Sequence, residues 1–218
     1  MSEETIARKP SIFGIIWSPT EQFERIKERP KIWAPLGIVT LLFIVGMYLT
    51  SLGLEIELEG IPEADLALAK AAGTFTLILV GIISPIFGAF ISTLIYLLIS
   101  KIPGSGVTFK KLFSMNTHLM MISALSVLVN GVGIALFGGN AEIQFTSLGS
   151  LIEVEGALAG LFNSIEVFQI WGVILTAIGL HKVADFSKGL AWTVSIAFYV
   201  ISVITAMVGA AASGMVGL

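Results

Sequence analysis

The residues best placed to do chemistry in this sequence are a few polar side chains within apolar stretches. Glu166 is the only acid inside the long apolar segment 158–180, and Asn163 and Gln169 lie close to it along a helix. A charged carboxylate in the middle of a bilayer costs about 2.5–3.5 kcal/mol on insertion scales, so such a residue is a functional candidate by default. We therefore predict an intramembrane polar site at these three residues. Glu166 would act there as a proton or cation relay, or it would snorkel as an acid at the outer interface.

The remaining polar residues suggest structural roles. His118 and His181 lie near lysines at the ends of apolar segments, which predicts interfacial side chains rather than metal ligands. Asn130 follows Ser126 by one helical turn, which favours an interhelical hydrogen bond. The sequence contains no cysteine, so disulfides, thiolate catalysis and cysteine–zinc sites are excluded. With no catalytic motif in the sequence, we predict no catalytic, cofactor-binding or metal site, and a protein that is not an enzyme.

The composition identifies the solvent in which these residues lie. The 218 residues are 56% hydrophobic and 12% charged, with a mean hydropathy of +0.95, whereas soluble domains carry about 25% charged residues. The charges fall in short blocks between long apolar runs, as in multi-pass membrane proteins. The net charge of −3 is too small to imply a nucleic-acid partner. The sequence therefore predicts an all-α integral membrane protein of the inner or plasma membrane.

Five apolar segments are long enough to cross a hydrocarbon core of about 30 Å. All basic residues except Lys70 precede the first segment or fall between the second and third or the fourth and fifth. The positive-inside rule therefore predicts a cytoplasmic N-terminus and, with five spans, an extracytoplasmic C-terminus. An N-terminal segment (1–33) thus precedes a five-helix membrane domain (34–218), with predicted spans at residues 34–53, 73–100, 112–138, 158–180 and 190–215.

The N-terminal segment contains a predicted amphipathic helix at the membrane interface. Residues 18–21 form a capping-box signature that starts the helix at Pro19, and Pro30 ends it. Phe23 and Ile26 supply a single apolar stripe that would face the membrane. The alternative is a solvated linker helix.

Basic residues surround this helix and the entry to the third span. Because both regions precede cytoplasmic ends of spans, they predict one surface that binds anionic lipid or a cytoplasmic partner. The residues of this basic surface are Arg25, Lys27, Arg29, Lys31, Lys110 and Lys111.

The outer connections have a different character, because their charged side chains are mostly acidic. Within the second of them, residues 143–152 are unusually apolar for an exposed loop. We expect this stretch to fold back onto the membrane surface.

Small residues recur every four positions on three of the predicted spans. Such ridges let helix backbones approach closely in lipid, where packing drives association. They would serve packing within this bundle, binding of another membrane protein, or a homo-oligomer. The candidate packing residues are Ser84, Gly88 and Ser92 on the second span, Gly156 and Gly160 on the fourth, and Gly209, Ser213 and Gly217 on the fifth.

A set of positions around the first and third spans matches a known family: Ser18, Pro19, Phe23, Ile26 and Lys27 before the first span, Trp33, Pro35 and Leu36 at its start, and Lys110, Lys111, Leu112 and Phe113 at the third. With these residues the chain resembles the Yip1 family of membrane proteins, whose five-span topology with a cytoplasmic N-terminus also fits. The composition is similar to the bacterial branch, and the Asp-Leu-Tyr-Gly-Pro signature of eukaryotic members is absent, which removes the basis for a small-GTPase partner.

This resemblance implies a function that the residues alone do not show. It implies a non-catalytic accessory or scaffold protein that helps to assemble an ABC-type exporter of toxic or antimicrobial peptides. The partners would be the exporter permease or its membrane-fusion subunit. The alternative from the residues is a small transporter or ion channel with an outer polar site around Glu166.

Overall fold

The computed structural model describes residues 8–54, 62–139, 144–152 and 154–216, and the regular elements of these residues are all helical. The all-α prediction is confirmed for this part of the chain. Two short 3-10 helices cover Phe13–Ile15 and Leu148–Ser150. The α-helices are α1 (Pro19–Glu28), α2 (Trp33–Ser51), α3 (Glu63–Ile99), α4 (Phe109–Phe137), α5 (Gly156–Ser164), α6 (Val167–Val183) and α7 (Lys188–Val216).

Four of these helices, α2, α3, α4 and α7, are long and apolar enough to cross a membrane. The predicted fourth span, 158–180, is not one helix, because the chain leaves helical geometry at Ile165 and Glu166 and resumes it at Val167. The result is the nine-residue α5 followed by α6, which has 17 residues. A multi-pass membrane protein is therefore confirmed, with a break where the sequence predicts a continuous span.

Helix α1 begins and ends where its two prolines predict, although the predicted cap is wrong. The Ser18 hydroxyl donates to the carbonyl oxygen of Gly14, 3.1 Å away, and makes no cap bond to α1. Phe23 and Ile26 are both 0% exposed, since α1 packs against α6 and α4. The apolar stripe thus contacts protein rather than lipid, which differs from the predicted interfacial helix.

Polar contacts at one end of the bundle hold α1 in place. Lys27 pairs with Asp185 after α6, and Glu24 pairs with Lys182 near the end of α6, at 2.7 Å. The Ser114 hydroxyl of α4 donates to the Lys31 carbonyl oxygen at 2.7 Å. These contacts bring α1, the start of α4 and the α6–α7 turn together, and we call this region the basic end. The opposite end of the bundle, at the start of α6, is the far end.

Glycines allow α2 and α4 to approach each other closely. A Cβ on Gly131 would lie 2.5 Å from the Gly46 carbonyl oxygen, and one on Gly46 would lie 2.9 Å from the backbone nitrogen of Leu128. Close approach at small residues is typical of membrane helices. Neither glycine belongs to the ridges that the sequence singled out.

Candidate functional site

The site is centred on Glu166, at the break between α5 and α6. Its backbone is extended, and its Oε2 atom accepts a hydrogen bond of 2.8 Å from the Gln169 N–H, so the side chain caps α6. Glu166 is only 1% exposed. The alternative of an acid that snorkels to the interface is therefore wrong, because protein rather than solvent surrounds the carboxyl group.

A loop residue supplies the second hydrogen bond to Glu166. The Thr146 hydroxyl donates to Glu166 Oε1 at 2.7 Å, and the same hydroxyl accepts from Asn130 Nδ2 at 2.9 Å. The Thr146 N–H donates in turn to Asn130 Oδ1 at 3.1 Å. Asn130 thus links α4 to the loop, and its amide also donates to the Ser126 carbonyl oxygen of its own helix. Among the residues that the structure describes, it makes no bond to another helix.

Backbone pairing fixes the loop 144–152 against the helix break. Ser147 and Glu166 form an isolated antiparallel bridge, in which the Val167 N–H donates to the Thr146 carbonyl oxygen at 3.2 Å. Ile165 accepts from the N–H of Leu148 at 3.0 Å. Inside a membrane, non-helical backbone is tolerated only where it is buried in protein or lines a cavity. The loop folds back, as predicted, but onto the bundle.

Asn163 serves this loop rather than a ligand. Its Oδ1 atom accepts from the Ser147 hydroxyl at 3.3 Å. A Cβ on Gly149 would lie 2.8 Å from Asn163 Cγ, so this position has no room for a larger residue. The predicted trio is therefore divided, because Asn163 holds the loop while Glu166 and Gln169 line a cavity.

The cavity lies between α3, α4, α6 and α7 and has a volume of about 480 Å³. Its polar side chains are mostly hydroxyls, and no basic residue is among those that line it in the described structure. Such a site offers one carboxyl group and many hydrogen-bond acceptors, which suits a cation or an uncharged polar molecule. Its polar lining consists of Ser92, Tyr96, Ser123, Ser126, Gln144, Glu166, Gln169, Thr176, Ser195, Tyr199 and Ser202.

Aromatic side chains from α7 complete the walls. Tyr96 of α3 meets Phe198 edge to face, with ring centroids 5.3 Å apart. The Tyr199 hydroxyl donates to the Ser164 carbonyl oxygen at 3.0 Å, which satisfies a carbonyl left free at the end of α5. These contacts tie α7 to both sides of the cavity.

Some positions of the small-residue ridges contact another helix, and others are exposed. Gly160 meets the α7 backbone, where its Cβ would lie 2.7 Å from Met207 Cα. A Cβ on Gly209 would meet nothing within 4 Å, and Gly209 and Ser213 are exposed.

The other predicted ridge positions have different surroundings. A Cβ on Gly88 would make only an ordinary contact with Met120, and Ser84 donates to the Val80 carbonyl oxygen of its own helix. Ser92 lines the cavity, and Gly156 starts α5 with a φ of +57° and open space around it. Gly217 lies outside the described residues.

The predicted basic surface is only partly free. Arg25 pairs with Glu21 in α1, and Lys27 pairs with Asp185, whereas Arg29, Lys31 and Lys110 are exposed and Lys111 is half-buried. The Lys31–Ser114 bond places Lys31 beside the start of α4.

Sequence reasoning missed Thr146, Ser147 and the burial of His118. His118 is 0% exposed, and its Nδ1 lies 2.7 Å from the Ser114 carbonyl oxygen, so protein surrounds its ring. No sequence signal marks Thr146. Among the described residues, no group of three or more His, Asp or Glu side chains could hold a metal ion.

Comparison with known proteins identifies the family. A family model described as the Yip1 domain matches residues 13–210. "Membrane protein YknW" of Bacillus subtilis (strain 168) is 39% identical over 207 residues, which cover 92% of this chain and 90% of that protein. No solved structure matches the chain. With a family model that spans nearly all of the sequence and a relative of this similarity, the chain belongs to the Yip1 family of membrane proteins.

Proposed function

We propose that this protein is a non-catalytic accessory subunit of the inner or plasma membrane, which binds another membrane protein through α7. The exposed Gly209 and Ser213 carry this proposal, because they form a helix surface on which no other part of the described bundle packs. Only 11% of the apolar stretch of α7 is buried, against 44% in α4. Small residues on a lipid-facing helix favour close packing against a second helix.

The proposed complex is an ABC-type exporter of toxic or antimicrobial peptides, whose permease or membrane-fusion subunit would contact α7. The support for this assignment is the resemblance to the bacterial branch of the family. The named relative is described only as a membrane protein. A second copy of this chain could occupy the same α7 surface.

In the proposed topology α5 and α6 together make the fourth of five crossings. This assignment is supported by the packing of both helices against α7. The basic residues at one end then favour a cytoplasmic N-terminus and an extracytoplasmic C-terminus. The exposed Arg29, Lys31 and Lys110 would face anionic lipid at the cytoplasmic surface.

Co-purification from native membranes tests the accessory role. Gly209→Leu places a bulky side chain on the exposed ridge, so we expect the partner to be lost while the chain still inserts and folds. Ala197→Leu is the matched control, since Ala197 is also exposed on α7 but lies about 120° around the helix. Equal recovery of partner with both variants would exclude the Gly209 face.

The cavity supports a second candidate, a small transporter or ion channel. Its specific observation is the buried carboxyl group of Glu166 beside a polar cavity of about 480 Å³. Flux in proteoliposomes that is present in the wild type and lost in Glu166→Gln would favour transport. Normal partner binding with no flux in either protein would favour the accessory role alone.

A further inference from the structure

We infer that the cavity between α3, α4, α6 and α7 binds a singly charged organic cation, a primary ammonium group attached to an apolar tail. The inference rests on the second candidate function in one respect, because both place the ligand in the same cavity. It requires binding and does not require transport.

The charge of the cavity lining favours a positively charged ligand. Glu166 is the single carboxyl group of the lining, which contains no basic residue among those described. The three ion pairs of the described structure do not include Glu166. A buried carboxylate without a counter-charge is strongly destabilised, so a cation beside it is favoured.

The carboxyl group also has hydrogen-bonding capacity left for a ligand. Within the described part of the chain, each of its oxygens accepts one bond, from Thr146 and from the Gln169 N–H. An ionised carboxylate has about four acceptor positions, so about two remain. An ammonium group brings three donors, which could be shared between Glu166 and the hydroxyls of the lining.

The size and walls of the cavity indicate a molecule larger than an ion. A volume of about 480 Å³ far exceeds the roughly 30 Å³ that one water occupies in the liquid. Leu119 and Ile122 supply an apolar floor, and the rings of Phe168 and Phe198 also line the space. Aliphatic walls suit a hydrocarbon tail, and aromatic rings attract cations through their faces.

Two other classes of ligand fit less well. Divalent metal ions prefer several carboxylate and carbonyl oxygens, whereas this lining has one carboxyl group. A zwitterionic lipid headgroup carries a phosphate, which Arg or Lys side chains would have to bind. Because the described lining contains no such residue, the ligand that fits best is a cation that carries no phosphate group.

The flank of the bundle provides an entrance. Tyr96 and Phe198 join α3 to α7, but these two helices are not among the pairs of described elements that pack extensively. Ser123 and Ser202 line the cavity and are exposed. An amphiphilic cation dissolved in the bilayer could therefore enter between α3 and α7 with its tail still in the apolar phase.

A pair of fluorescent probes tests the inference. One is a dansyl group on a five-carbon chain that ends in a primary amine, and the other is the same molecule with a terminal hydroxyl. Fluorescence anisotropy is measured with the full chain in a neutral detergent at pH 7, where an alkyl amine with a pKa of about 10 is protonated. We expect saturable binding of the amine that is at least tenfold tighter than binding of the alcohol.

Two variants distinguish the site from unspecific binding. Glu166→Gln keeps an oxygen that can cap α6 and removes the charge, so amine binding should weaken at least tenfold. Thr176→Phe fills the cavity from α6 without touching Glu166, so it should also weaken amine binding. It tests the site independently if Glu166→Gln does not fold. Val200→Phe on the exposed face of α7 is the control and should bind as the wild type does.

The outcomes separate this inference from transport. Equal binding of amine and alcohol, or unchanged amine binding in Glu166→Gln, would overturn the inference. Amine binding without any flux would support the site and remove the transport proposal. Flux that depends on Glu166 without amine binding would overturn this inference and leave transport in place.

Discussion

The two ends of this bundle are held together by different kinds of interaction. At the basic end, α1 buries Phe23 and Ile26 against α4 and α6 and adds exposed ion pairs. At the far end, a loop and a helix break are joined by hydrogen bonds among Asn130, Thr146 and Glu166. Apolar packing tolerates small changes in geometry, whereas a buried polar network requires every partner. The far end is therefore the region where a polar cavity can exist and where the loss of one partner leaves a buried polar group without its hydrogen bond.

The largest effect should come from the apolar contact of the basic end. Truncating a buried aromatic costs about 3–5 kcal/mol, and Phe23 is 0% exposed with its ring against Gly179. We expect Phe23→Ala to lower the free energy of unfolding by this amount, measured by chemical unfolding in mild detergent. Trp17→Ala is the control, since Trp17 is 73% exposed. Equal, small effects for both variants would mean that α1 does not dock as described.

A smaller effect is expected at the far end. Thr146→Val removes the hydroxyl that joins Asn130 to Glu166, and leaving a buried polar group without its partner costs about 1–3 kcal/mol. Thr205→Val on exposed α7 is the matched control, since its hydroxyl bonds only within its own helix. Thermal unfolding of the two variants would measure the difference. No difference would show that the loop does not stabilise the helix break.

The smallest effect should come from the ion pair between α1 and α6. Lys182 and Glu24 lie 2.7 Å apart with side chains 32% and 54% exposed, and such pairs contribute about 0–1 kcal/mol. Lys182→Gln should therefore change stability little, and less still at high salt. A double-mutant cycle with Glu24→Gln measures the coupling. A coupling energy well above this range would mean that charge, rather than apolar packing, holds α1.

Much of the basic end could be predicted from the sequence. Proline positions define the bounds of α1, and the spacing of Phe23 and Ile26 identifies its buried face. What the sequence could not show is the surface that this face contacts. His118 illustrates the difference: its lysine-rich surroundings predict an interfacial side chain, but packing of α1 against α4 covers this end with protein.

The far end could be predicted only in part. Glu166 is conspicuous as an acid in an apolar segment, and Asn130 as an amide in another. Their common partner, Thr146, is 16 and 20 residues away from them, in a loop without periodicity. The helix break was also hidden, because Glu is not among the preferred N-cap residues. Apolar periodicity identifies helices but carries no information about such loop-mediated contacts.

The contact between Gly160 and α7 has a mechanical consequence. α5 contacts α7 near Met207, two residues before the exposed Gly209, and the chain continues through Ile165 into the capped start of α6. A partner helix that contacted Gly209 would thus lie beside the part of α7 that contacts α5, and α5 leads directly to Glu166. Thermodynamic linkage is reciprocal. If a ligand in the cavity shifted α5 and so changed the affinity of α7 for a partner helix, that partner would change the affinity of the cavity for the ligand by the same factor.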